Sequence, residues 1–422
     1  VDLKMTGRRG LPGGLDLGGS QGGARHLLCR RLEIALRADR TVEQIVAQSD
    51  VDLTLMPGPG QHPERRHVEA KRYLIMDADE TGRATNVRAG QDVALTVEPW
   101  PPRPDVPRRG VTCNRFEAAI DPPTGRTTFA DFFGGVTFTR GSQRARGQTA
   151  HYDGARSSLA LNGRPNIDDA TGTLEATDIT LGTESGDVEA RGDVRHLIRQ
   201  AERGRGGLFA SGEEPALIAA QSFESTRKTQ SATYGGGVVL RSGRSEVRAA
   251  SLVIQEEAEG RRRLHADGKV VSILAQDTGG KERGSAAGPL EGRGDTMDYD
   301  EERRLIVYEG DAIVKQADVE TRSPKATLTL SADMKSLEKL VAGQPVEVVQ
   351  GDRRATGRLG TFTPADRMML LVGDHVVLTD PGQRTVGRSV AFMIGGDRIV
   401  VDGQEETRTE STFEQSLGGT HR

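Results

Sequence analysis

The chain has 422 residues, of which 35% are hydrophobic and only 4% aromatic, too little apolar material for one large spherical core at this length. Its 57 basic and 61 acidic residues leave a net charge of −4 and are interspersed rather than blocked, so the basic footprint of a nucleic-acid binder is missing. The 53 glycines and 18 prolines follow no collagen period and fall where strands would have to turn.

In chain order, residues 1–30 are rich in glycine and arginine with no apolar period, and a disordered lead-in is expected. From Leu32 the pattern changes: Leu32, Ile34 and Leu36, then Val51, Leu53 and Leu55, alternate with polar or small residues, the period of a half-buried strand. Thr41 to Gln48 could pass for a helix, but its text recurs. Ala38-Asp39 followed by Val42 to Ala47 mirrors Ala332-Asp333 followed by Leu337 to Ala342, and each copy leads into alternating apolar residues (Val51, Leu53, Leu55; Val346, Val348), so a hairpin is expected in both places. A first β module therefore spans 31–98. Pro99 to Gly110 carries five prolines, which cannot donate to a ladder, and 99–110 is expected to be a linker. Strand patterns fill a second module, 111–200. Residues 201–221 and 276–292 are polar, glycine-bearing and irregular, and are expected to be long loops. A third module occupies 222–350, a further repeat 351–404, and a polar tail 405–422. The sum is roughly twenty short strands and no secure helix.

Three stretches share one ruler: Gly147, Tyr152, Gly163; Gly294, Tyr299, Gly310; Gly357, Phe362, Gly373. In each, the aromatic stands five positions after the first glycine and eleven before the second. A unit that returns in this way, joined by glycine turns, predicts an all-β stack of antiparallel hairpins, whose work is done by a surface or seam.

Signatures of catalysis fail on context. Gly18 to Gly22 spells a nucleophile elbow but lacks the strand before and helix after that an elbow needs. Arg191-Gly192-Asp193 and Arg293-Gly294-Asp295 fall at strand repeats, where glycine marks a kink or bulge. Gly235-Gly236-Gly237 has no helix-forming sequence behind it to cradle a phosphate. The histidines are scattered; His26, His62 and His67 come nearest to a cluster, in loop-like text. The carboxylate pairs Asp168-Asp169 and Glu301-Glu302 sit at expected turns, where they satisfy local donors or face water. No enzyme, cofactor or metal is expected. Two cysteines, Cys29 and Cys113, far apart in sequence, make no disulfide framework; two free thiols are expected, with a single bridge as the alternative. No stretch approaches the length of a membrane-spanning helix, and no charged-then-apolar signal segment is visible from Val1, where a missing or processed start would hide one.

What the ruler does specify is a lining. Leu159, Leu161 and Ile167 share parity in the first copy, Ile306, Tyr308 and Val314 stand at the same offsets in the second, and Met369, Leu371 and Val377 in the third. Val136, Phe138 and Leu328 belong to the same apolar set. Side chains of one parity point to one side of a sheet. They either fill an ordinary sandwich interior or line an apolar trough between sheets that do not close.

Gly294 to Asp300, Arg304 to Ala312 and Lys325 to Leu328 resemble the OstA-like module of lipopolysaccharide transport proteins, the LptA family that includes LptC and the N-terminal module of LptD. Gly237 to Leu240, Glu246 to Ala250 and Leu264 to Val270 resemble the first half of the same unit. The likeness is strongest over 222–350, extends to 132–200 and 351–403 as further copies, and is looser over 31–98. It implies a twisted, partly open β-jelly roll of repeated modules stacked end to end. It also implies a non-enzymatic, periplasmic role: lipopolysaccharide bound by its lipid A acyl chains in the groove lined by the residues above. Other transport components, or a second copy, would then join by strand-edge pairing. The alternatives are a polysaccharide-active stacked-β enzyme and a purely structural envelope protein.

Overall fold

The computed structural model describes residues 2–6, 13–19, 22–57, 63–199, 215–257, 261–276, 288–334, 336–394, 399–402 and 410–413. Among them every regular element is a β-strand, and the chain divides into two compact units, Val1–His196 and Leu197–Arg422.

The first unit holds β1 (Asp2–Thr6), β2 (Gly13–Gly19), β3 (Gly22–Cys29), β4 (Arg31–Leu36), β5 (Val42–Gln48), β6 (Val51–Leu55), β7 (Glu64–Ala70), β8 (Tyr73–Ala78), β9 (Ala84–Pro99), β10 (Arg109–Asp121), β11 (Arg126–Arg140), β12 (Gln143–Asp153), β13 (Ser158–Asn162), β14 (Asn166–Asp168), β15 (Gly172–Glu175), β16 (Asp178–Gly182) and β17 (Val188–Ile198). All of its described pairings are antiparallel, and they form two ladders. One runs β3, β6, β7, the C-terminal half of β9, the N-terminal half of β10, the C-terminal half of β11, the N-terminal half of β12, then β14 and β15. The other runs β4, β5, β8, the remaining halves of β9 to β12, then β13, β16 and β17. From β3 to β17 each line of chain thus gives one half to each ladder, while β1 and β2 extend the first beyond β3.

The second unit repeats the scheme with β18 (Ala216–Thr226), β19 (Ser231–Ser242), β20 (Ser245–Glu256), β21 (Arg262–Leu274), β22 (Leu290–Asp300), β23 (Leu305–Gln316), β24 (Val319–Leu330), β25 (Leu337–Ala342), β26 (Val346–Gln350), β27 (Arg353–Gly357), β28 (Leu359–Thr363), β29 (Met368–Asp380), β30 (Gln383–Met393), β31 (Ile399–Asp402) and β32 (Glu410–Phe413). Here β24 splits its pairing between β25 and β26, and β29 between β27 and β28. Val346, Val348, Ala355, Val376 and Leu378 from one ladder and Ala342, Met369, Leu371, Val390 and Phe392 from the other bury together in one apolar cluster. The core lies between the ladders.

Two local devices make each strand change ladder. Along every second line from β5 to β23 a pair of consecutive residues takes positive φ: Ser49-Asp50, Gln91-Asp92, Gly134-Gly135, Gly163-Arg164 and Gly192-Asp193 in the first unit, Gly236-Gly237, Gly268-Lys269 and Gly310-Asp311 in the second. The left-handed region is costly for most side chains, so glycine opens six of these eight pairs. On the lines between them the register slips by a shorter bulge, as between Ala219 and Ser222 or Ser323 and Lys325. Bulges of both kinds bend a strand from one layer to the other while the buried parity is restored beyond the corner. Tyr308 and Ala312 are both fully buried on either side of Gly310-Asp311. The glycines of the ruler fall at these corners, Gly147 and Gly294 on the shorter bulges, Gly163 and Gly310 on the left-handed pairs.

Several expectations are corrected. Residues 1–30 contribute β1, β2 and β3, with Leu27 and Cys29 buried; glycine and arginine supply no apolar stripe, but a backbone ladder does not need one. The proline segment 99–110 does not separate modules. It closes a hairpin in which Val97 faces Arg109: Pro99 stands at the last pair of β9, opposite Glu64, and the other four prolines lie beyond the paired residues, where they remove no ladder donor. Val42 to Gln48 is a strand, hairpinned to β4. Val51 to Leu55 does not fold back on it but continues the same line into the other ladder after the Ser49-Asp50 corner, as β26 does after β25. Of 201–221, residues 201–214 lie outside the described residues and β18 already begins at Ala216; of 276–292, residues 277–287 lie outside them and β22 begins at Leu290. The tail carries β32, paired to β30.

Candidate functional site

The lining residues read from the ruler are buried with one exception. Val136, Phe138, Leu159, Leu161 and Ile167 are buried in the first unit, and Ile306, Tyr308, Val314, Leu328, Met369 and Leu371 in the second. Val377 is only half-buried; Val376 and Leu378 point inward instead. The reason is the corner type. In the third copy the register against β30 slips between Val372 and Val376, so the parity carried across the left-handed pair in the second copy lands one residue away in the third.

In the second unit these side chains are close-packed. The Tyr308 ring lies over Gly292 of the neighbouring strand, where a Cβ would stand 2.2 Å from the ring. Its hydroxyl hydrogen-bonds the Ser272 hydroxyl at 2.6 Å, and burial raises the phenol to about 12. The ring, its glycine and its buried partner form one fitted unit.

The first unit is different. Between its ladders lies an apolar cavity of about 630 Å³, within the range of small-molecule sites. Leu53, Leu55, Val68, Leu95 and Val97 line it from one ladder, and Ile45, Met76, Val87, Phe116 and Phe132 from the other. Phe116 and Phe132 stack with centroids 6.0 Å apart. Of the expected lining, Phe138 and Leu159 reach this cavity, as does Tyr152, the ring of the first ruler copy; Val136, Leu161 and Ile167 do not.

Polar groups enter the cavity from β7 and β10. Glu64 and Arg66 on β7 share parity with buried Val68 and Ala70 and therefore face inward. Arg109 pairs with Glu64. Arg66 sits between Leu55 and Val97 in register and reaches across to donate from Nη1 to the Gly125 carbonyl at 2.9 Å. Burial lowers its guanidinium from the ordinary value. The even spacing of positions 64, 66, 68 and 70 carried the signal for these two charges, but the prolines around them made the segment read as a loop.

The acidic, histidine and cysteine positions singled out in the sequence take these places. Asp169 accepts from the Thr171 and Gly172 amides at 2.8 and 3.2 Å, and Glu301 from the Arg262 amide at 2.9 Å, so each of these carboxylates serves a local turn or strand end. Both Arg-Gly-Asp tripeptides lie at corners. His67 is on β7, not in a loop, and its Nε2 lies 3.0 Å from Asp52 Oδ1; Glu69 completes the one grouping with metal-ligand spacing among the described residues. His26 faces Thr54 from β3. His62 and residues 20–21 of the elbow spelling lie outside the described residues. Cys29 and Cys113 are free and buried, and burial pushes the Cys113 thiol up to about 11.

Residues 217–289 and 291–407 match the protein family described as LptA/(LptD N-terminal domain) LPS transport protein. That match covers a little under half of the chain. The resemblance read from Gly294 to Asp300 and its neighbours lies inside it, and the family match supports a role in lipopolysaccharide transport. Among solved structures the chain matches LptH from Pseudomonas aeruginosa, described as the LptA homologous periplasmic component of the conserved lipopolysaccharide transport device. The match is 16% identical, covers 30% of this chain and 96% of that one, and has a TM-score of 0.27. No curated protein matches the chain.

Proposed function

We propose that this chain is a non-enzymatic lipopolysaccharide-binding protein of the periplasm that bridges part of the path to the outer membrane, holding acyl chains in the apolar interior between its two ladders. The observation that carries this reading is the family match over 217–407, joined to an interior whose inward positions are slim aliphatics over most of its length. Shielding acyl chains there is favoured by about 25 cal/mol per Å² of apolar area removed from water, without covalent chemistry. Partners would add to the terminal strands: β31 pairs with β30 over Ser389 to Phe392, and its other edge, which no strand covers among the described residues, would offer ladder groups to another transport component or a second copy.

The packing around Tyr308 and Leu371 sets a condition on this reading, because an acyl chain enters the second unit only if the two ladders part along the corners. A purely structural envelope protein would keep them shut. Photo-crosslinking distinguishes the two. Photoreactive leucine at 161 and 371 and benzoylphenylalanine at 308 should give adducts with labelled lipopolysaccharide in intact envelopes, and the absence of adducts from all three positions would sink the transport reading.

A further inference from the structure

The first unit contains a charge that its fold leaves unbalanced. Three arginines and three carboxylates border the cavity: Arg66, Arg109 and Arg126 with Glu64, Asp121 and Glu184. Arg126 and Glu184 are exposed at the mouth, and Asp121 accepts from the Thr124 amide at 3.3 Å and from its hydroxyl. Inside, Glu64 is held by Arg109. Arg66 remains, set between Leu55 and Val97, and among the described residues its guanidinium has the Gly125 carbonyl as its hydrogen-bond partner and no carboxylate within ion-pair distance. Glu64 attracts it through space, while Arg109 and Arg126 repel it. A guanidinium presents five donors in a planar fork that suits carboxylate and phosphate, and one carbonyl answers one of them. Holding such a group against apolar walls without an anion is costly.

We propose that the cavity of the first unit is a binding site for a single-chain anionic lipid, whose alkyl chain lies along Leu53, Leu95, Val87 and Phe116 and whose carboxylate or phosphate is received by Arg66. The chemistry selects this class. About 630 Å³ is the volume of a site for one small amphiphile. The apolar walls favour an alkyl chain, and the uncompensated positive charge rejects a neutral head in favour of an acidic one. Arg66 also ties β7 to the β10–β11 turn through Gly125, so an anion that engages its remaining donors would bind without displacing that tie. This inference does not rest on the transport reading, since the family match lies at 217–407, outside the first unit.

The full chain, stripped of lipid over a hydrophobic resin, should bind cis-parinaric acid with enhanced fluorescence. Dodecanoate and dodecyl phosphate should displace the probe at concentrations about tenfold or more below dodecanol, and inorganic phosphate alone should not. Arg66→Gln should erase the preference for acid over alcohol while leaving the thermal transition in place, and Arg66→Lys should retain part of it. Equal displacement by acid and alcohol in the unaltered protein overturns the proposal, as does a preference that survives in Arg66→Gln, or displacement by inorganic phosphate alone, which would mark a free-anion site. The head-group comparison needs no variant, so a misfolded Arg66→Gln leaves the test decisive.

Discussion

Val376 and Val377 are adjacent, yet one faces the interior and the other lies half in solvent, which makes the pair a direct probe of the corner register. Val376→Ala should cost about 2 kcal/mol by opening a void in a closed cluster, whereas Val377→Ala should cost well under about 1 kcal/mol; urea denaturation of the two variants measures the difference. Equal losses would place the strand one residue out of the register described. Tyr308 adds a pH dependence of definite sign. Its phenol titrates near 10 in the unfolded chain and at about 12 in the folded one. The contribution to stability is complete below pH 10 and is lost as pH rises from 10 through about 12, because the unfolded state gives up its proton first. Melting temperatures between pH 9 and 12 should therefore fall less steeply for Tyr308→Phe than for the parent. Tyr234, also buried and raised, keeps the slope from vanishing.

At the scale of the strand, the corners are where sequence and architecture meet. Gly135 and Gly268 have similar φ values, +75° and +90°, but a Cβ on Gly135 would meet nothing within 4 Å whereas one on Gly268 would lie 2.4 Å from the Ala250 Cβ. Gly135→Ala should cost only the left-handed penalty, about 1–2 kcal/mol, and Gly268→Ala distinctly more, since the neighbouring strand must also move. Chemical denaturation of each single variant checks the order. These corners were legible in part. The ruler found Gly147, Gly163, Gly294 and Gly310 because glycine is the cheapest residue at a bend, while Ser49-Asp50 and Gln91-Asp92 reach the same backbone without it and left no mark. The hairpin repeat at Val42 and Leu337 was found as text, but its split between ladders was not, because alternation of period two is the same whichever neighbour a strand chooses.

Across the molecule, the two units use one scheme and fill it differently. Ala130 lines the open cavity of the first unit, and Ala312 is buried in the packed interior of the second. Ala130→Leu should fold with stability close to the parent's, its added methylenes entering the cavity, while Ala312→Leu should lose about 1–3 kcal/mol by overpacking; thermal and urea unfolding of the two compare them directly. The order of residues alone specifies an all-β repeat, since period-two alternation and recurring glycines are local properties that each strand writes for itself. It also fixed which parity of side chains turns inward along most strands, and Glu64 and Arg66 obey that parity with Val68 and Ala70. Where the interior is closed and where it is open becomes visible once the strands are folded together. The gap between two ladders is set by how far each corner swings its strand, a distance between residues remote in sequence, so the same alternating text encloses Tyr308 tightly in one unit and leaves room beside Arg66 in the other.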